Sequence, residues 1–238
     1  MEPYEKAAEQ ILAHTRAVYQ PQHDYAAADQ NDFKHLDLKW YAKAAEKLQE
    51  RGFRLLGDQE DRTITNAPGG YLKPVMLRVL VSADGMIIAT LYHPKPVLWL
   101  RILFFVLGKS LAKTIDFESE SEDGTFVSTS NAEAAAAIQL PPGISMRYLP
   151  KQTTLEALYT CQRETLNQTP QKTFKRFQSL EEIIKAQDRM NAIKAAFRQE
   201  IGEVSREEIE RSVGSRDDST ESVYQEIQDL RSREKSGL

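Results

Sequence analysis

The stretch Val75–Asn131 constrains the fold most. It reads as two β-hairpins separated by the most apolar segment of the chain. The first hairpin is PVMLRVLV, the turn Ser82-Ala83-Asp84-Gly85, and MIIATLY. The second is KTIDFESES, the turn Glu122-Asp123-Gly124, and TFVSTSN. Both reverse over an Asp-Gly pair, and glycine takes the positive φ that a tight hairpin turn needs. Hairpin turns join antiparallel strands only, so an antiparallel sheet is the expected centre. Within the second hairpin, Ile115 and Phe117 alternate with Asp116, Glu118 and Glu120. That period-2 pattern predicts one dry and one wet strand face, with the acidic ladder Asp116, Glu118, Glu120, Glu122 in solvent.

Helical spacing appears on both sides of this centre. Tyr4, Ala7, Ala8, Ile11, Leu12, Thr15 and Val18 predict a helix over Tyr4–Tyr19, stopped before Pro21. Gln20–Phe33 is polar and is expected to be a loop. Asp37 is a candidate N-cap for a helix over Leu38–Arg51, whose apolar side is Leu38, Tyr41, Ala44, Ala45 and Leu48; Gly52 suits its C-terminus. Phe53–Gly57 and Arg62–Asn66 read as two short strands on either side of the acidic Asp58–Asp61. Ile144–Leu149 is a candidate edge strand. Thr153…Glu156 is a capping box opening a helix through Asn167.

The composition changes at Pro170. Gln171–Leu238 holds 13 Lys/Arg and 14 Asp/Glu. Further capping boxes stand at Ser179…Glu182 and Ser205…Glu208. The helix opened by the first carries Ile183, Ala186, Met190, Ile193 and Phe197 at steps of 3, 4, 3 and 4, a heptad seam. Such a seam either binds a partner helix or a second copy of the chain, or packs back on the sheet. Gly214–Leu238 has few apolar residues and is expected to be frayed or ordered only against a partner.

The expected class is therefore α+β. An antiparallel sheet of roughly four to six strands is covered on one face by the helices of residues 4–19, 38–51 and 153–167. Residues 1–170 form this domain and 171–238 a helical, charged arm.

Few function classes are marked. The chain of 238 residues has a net charge of −4, which argues against a dedicated nucleic-acid binder. The single cysteine, Cys161, rules out an internal disulfide, and the first residues lack a secretory pattern, so cytoplasm is the default location. His14, His23, His35 and His93 show no metal-ligand spacing, and no Gly-rich phosphate loop or nucleophile motif occurs. No cofactor, metal or catalytic set is expected.

Val97–Leu107 is apolar except for Arg101, too short for the roughly 20 residues of a bilayer span. It reads as a buried crossover, a protein interface or an in-plane membrane contact. No acidic residue falls between Asp84 and Asp116, so its surroundings are locally basic. Trp99, Leu100, Leu103 and Phe104 here, with Ile183, Met190, Ile193 and Phe197 of the seam, are the candidate interaction residues. The first functional expectation is a non-enzymatic scaffold that self-associates or binds a protein partner through its C-terminal helix, with peripheral membrane contact through Val97–Leu107. The second is a small-ligand-binding domain or enzyme with a pocket between sheet and helices, using His93, Arg78 or the acidic ladder.

Overall fold

The structure is a computed structural model that describes residues 3–68, 73–96, 113–133, 138–213 and 218–236. The fold is α+β. Seven strands lie in one open sheet in chain order: β1 (Tyr25–Ala27), β2 (Arg54–Asp61), β3 (Met76–Val81), β4 (Ile88–Tyr92), β5 (Thr114–Glu120), β6 (Phe126–Ser130) and β7 (Ile144–Tyr148). Neighbours pair antiparallel up to β6; β7 runs parallel to β6, because the chain crosses over after Ser130 instead of reversing. Seven α-helices stand among the described residues: α1 (Pro3–Val18), α2 (Leu38–Gln49), α3 (Arg62–Thr65), α4 (Leu155–Asn167), α5 (Leu180–Ile201), α6 (Arg206–Val213) and α7 (Asp218–Ser236). None is long and apolar enough to cross a membrane.

One sheet face packs on α2 and α4. Tyr41, Ala44, Ala45 and Leu48 of α2 and Leu155 and Leu158 of α4 enclose Met76, Leu80, Leu91 and Phe117. Asp37 caps α2 as expected, its carboxylate accepting from the Trp40 amide at 3.1 Å. The cap of α4 is Thr154 rather than Thr153; its hydroxyl accepts from the Ala157 amide.

The opposite face packs on α5. Ile183 and Ala186 meet Val79, Val81 and Ile88, and Met190 meets Phe126 and Ile144. Ile183 and Met190 are each only 1% exposed, so this part of the seam is buried on the chain's own sheet. The capping box at Ser179 and Glu182 forms, and Gly202 ends α5 at φ +93, a conformation that glycine takes freely.

Five expectations need correction. The sheet has seven strands rather than four to six, with Tyr25–Ala27 added at one edge. The acidic run does not separate two strands: β2 continues through Asp61, where Asp58 makes a two-point ion pair with Arg78 (2.8 and 2.7 Å). Arg62–Asn66 is not a strand, because Asp61 caps α3 by accepting from the Ile64 amide. The polar segment before Phe33 contains β1, paired to Gln59–Asp61, and a 3-10 turn at Gln30–Phe33. Helix α1 does not share the face of α2 and α4. Its Ala8 and Leu12 are buried against Ile209 and Ile227, so α6 and α7 supply its partner surface.

Candidate functional site

Strand β5 positions the site. Its Ile115 and Phe117 point into the core under α2 and α4, which sends Asp116, Glu118 and Glu120 to the other face. Hydrogen-bond register then sets rows across the sheet. Thr90, Asp116, Ser130 and Tyr148 form one row, and Ile88, Glu118, Ser128 and Met146 the next.

The ladder is not a solvated face. Helix α5 lies over it, and Glu118 and Glu120 are buried. Only Glu122, beyond the strand end, is exposed. The helix brings polar groups to match. Gln187 donates to Glu118. Arg189 grips Glu120 with two bonds of 2.8 and 2.6 Å, and Lys175 adds a third at 2.6 Å. Burial alone would raise the Glu120 carboxyl, but these two cations outweigh it and hold it below the usual range.

Asp116 and Glu118 have no such cation at bonding distance. Asp116 accepts from the Tyr92 hydroxyl at 2.8 Å and from Ser130. Burial, followed by the charge of Glu118, pushes Asp116 up to about 7. Burial also raises Glu118. Lys194 of α5 faces both carboxyls, yet makes no hydrogen bond or close ion pair among the described residues. Burial lowers its pKa despite their two charges. All three groups are thus driven toward their neutral forms, the usual outcome when desolvation outweighs pairing. Ser128, in register beside Glu118, adds a buried hydroxyl with no hydrogen-bond partner among the described residues.

Asp116, Glu118, Ser130 and Lys194 line a cavity of about 200 Å³. Tyr19, Tyr92 and Tyr148 supply aromatic walls, and Phe197 and Met146 apolar ones. Burial raises the Tyr19 and Tyr92 hydroxyls and pushes Tyr148 up to about 12, so all three stay protonated near neutral pH. The far wall is Arg198, whose guanidinium lies 4.6 Å from the Tyr19 ring centroid. It donates to both Glu208 oxygens at 2.7 Å and to the Gln139 carbonyl at 3.0 Å. That arginine is spent, whereas the two β5 carboxyls have no cation at bonding distance.

The candidate residues fall in different places. Trp99, Leu100, Leu103 and Phe104, with the whole Val97–Leu107 segment, lie outside the described residues. Ile183 and Met190 are core, Ile193 is half-buried beside Met190, and Phe197 lines the cavity. Arg78 is committed to Asp58, and His93 lies by a separate cleft beside α2. Among the described residues no group of three His, Cys, Asp or Glu is placed to hold a metal ion.

Sequence reading missed Tyr19, Tyr92, Tyr148, Ser128, Lys194 and Arg198. One signal was present. Gln187, Asn191, Lys194 and Arg198 recur at steps of 4, 3 and 4 beside the apolar seam. A polar stripe flanking a buried one matches a sheet face that carries acids. Comparison with known proteins finds no matching family model, no matching curated protein and no matching solved structure, so the functional reading rests on this geometry.

Proposed function

We propose that the chain is a small-ligand-binding domain whose pocket, between β4–β7 and α5, takes a small organic cation. One observation carries this reading. Asp116 and Glu118 stand side by side on a cavity wall with no close cationic partner, while their neighbour Glu120 has two. Lys194 faces them without an ion-pair contact, and burial lowers its pKa. A ligand ammonium or guanidinium entering the cavity would keep both carboxyls ionised and accept the faces of Tyr19, Tyr92 and Tyr148. The volume of about 200 Å³ is below the roughly 300–1,000 Å³ of drug-sized sites, which favours a small molecule.

A scaffold acting through the C-terminal helix would need α5 to leave the sheet and expose Ile183 and Met190. The packing of those two side chains therefore favours the pocket. The test is a thermal-shift series with ethylammonium, guanidinium and tetramethylammonium chlorides against sodium acetate at matched ionic strength. A saturable rise in Tm with a cation, absent in Asp116→Asn, supports the proposal. No saturable rise, or an equal rise in the variant, overturns it.

A further inference from the structure

A second cavity opens on the opposite face of the sheet, with the reverse charge. It has a volume of about 690 Å³ and lies between α2, the start of β5 and the turn that leads into α4. Its floor is apolar: Ala44, Ile115 and Leu155 are all buried. Its rim carries Lys43, Lys47, Lys113 and Lys151, with Trp40 and His93 on one wall. Four lysines on one cleft are unexpected in a chain of net charge −4.

The nearby acids neutralise only part of this charge. Lys113 pairs with Asp37 at 2.6 Å, and Lys47 with Glu156 at 3.4 Å. Lys43 and Lys151 have no ion-pair partner among the described residues and project from two separate walls, α2 and the pre-α4 turn. Asn131 fixes the second wall against the first strand residues. It is 3% exposed and donates to the carbonyls of Lys113 and Lys151 while accepting from the Ile115 amide. The lysines are therefore mounted on a tied frame rather than on free loops. His93 reports the field inside. Burial, then the charges of Lys95 and Lys113, push it down to about 4, and its Nδ1 is buried with no hydrogen-bond partner among the described residues.

The N-terminus of α4 is not the attraction, because Glu156 bonds to its own amide there. The recognition chemistry is that of spaced ammonium groups beside an aromatic ring. We infer that this cleft binds the phosphate monoester of a small molecule, with Lys43 and Lys151 closing on the phosphate from opposite sides and the organic part resting against Trp40. Two unpaired lysines suit a dianion, and a volume of this order fits a molecule of metabolite or nucleotide size. The site is independent of the cation pocket, which lies across the sheet.

Calorimetric titration with pyrophosphate at constant ionic strength tests the inference on the full chain. Wild type should show saturable binding, and Lys43→Ala/Lys151→Ala should weaken it about tenfold or more. Both side chains are exposed, so the variant keeps its fold, which circular dichroism verifies. A parallel sedimentation with phosphatidylcholine vesicles, with and without phosphatidic acid, separates two sources of the same group. Lysine-dependent sedimentation assigns the phosphate to a lipid headgroup. Binding of pyrophosphate without lysine-dependent sedimentation assigns it to a soluble phosphate compound. No saturable binding in either arm, or binding that survives loss of both lysines, overturns the inference.

Discussion

The Tyr92 hydroxyl donates to the Asp116 carboxylate across 2.8 Å, joining the end of β4 to the middle of β5 at the wall of the cavity under α5. The bond favours the charged carboxyl, yet burial and Glu118 outweigh it, and Asp116 titrates near 7. The balance makes Asp116 a group through which pH acts on stability and, in the proposed function, on binding.

Stability should show it first. With a folded pKa of about 7 against an unfolded value near 4, the folded chain binds the extra proton between these limits. Asp116 then makes stability fall as pH rises through that window, by at most about 1.4 kcal/mol per pH unit. Asp116→Asn removes the effect. Urea denaturation should find the variant more stable than wild type by about 1–3 kcal/mol at pH 8, with the advantage shrinking toward pH 5. A difference that does not change with pH would contradict the assignment.

The buried pair Arg198–Glu208 should be costly to break. Both side chains are almost fully buried, and Glu208 also accepts from the amides of Gln139 and Ser205. Arg198→Ala leaves a carboxylate without its cation and should cost about 3–5 kcal/mol in denaturant unfolding. The double variant Arg198→Met/Glu208→Gln should recover part of that loss. A cost of the single variant below about 1 kcal/mol would mean that the pair is open to water.

The seam should behave as core. Ile183→Ala removes methyl groups packed on Val79, Val81 and Ile88, and should cost about 2–5 kcal/mol. Sedimentation velocity should find the same assembly state as wild type. A variant of unchanged stability that loses an oligomer would place Ile183 at an interface between copies instead.

Parts of this architecture are legible in the sequence and parts are not, for physical reasons. The α2 cap at Asp37 and the α5 capping box depend on contacts within four residues, so spacing is enough to find them. The α+β class follows from period-2 segments flanked by helical ones. Strand β1 has three residues, too few to show a period. At Arg62–Thr65 a local cap on Asp61 decides against a strand, which β-branched residues alone do not reveal. The acidic ladder is the instructive case. Its alternation correctly separates the two faces of β5, but a wet face and a face covered by polar groups look identical along one strand. Only the placement of α5, with Gln187, Arg189 and Lys194 above the acids, distinguishes them. The pocket combines residues from Tyr19 to Arg198, and no local window contains it.

The most direct measurement is calorimetric titration of the cation found in the thermal-shift series, at pH 6 and pH 8, on wild type and Asp116→Asn. Ligand charge should hold Asp116 ionised, so binding releases its proton. Below its pKa of about 7, affinity should rise up to about tenfold per pH unit and then level off above it. Asp116→Asn should bind weakly and with a smaller pH dependence, the part that Glu118 alone supplies. Saturable binding that is independent of pH, or unchanged in the Asn variant, would contradict the account.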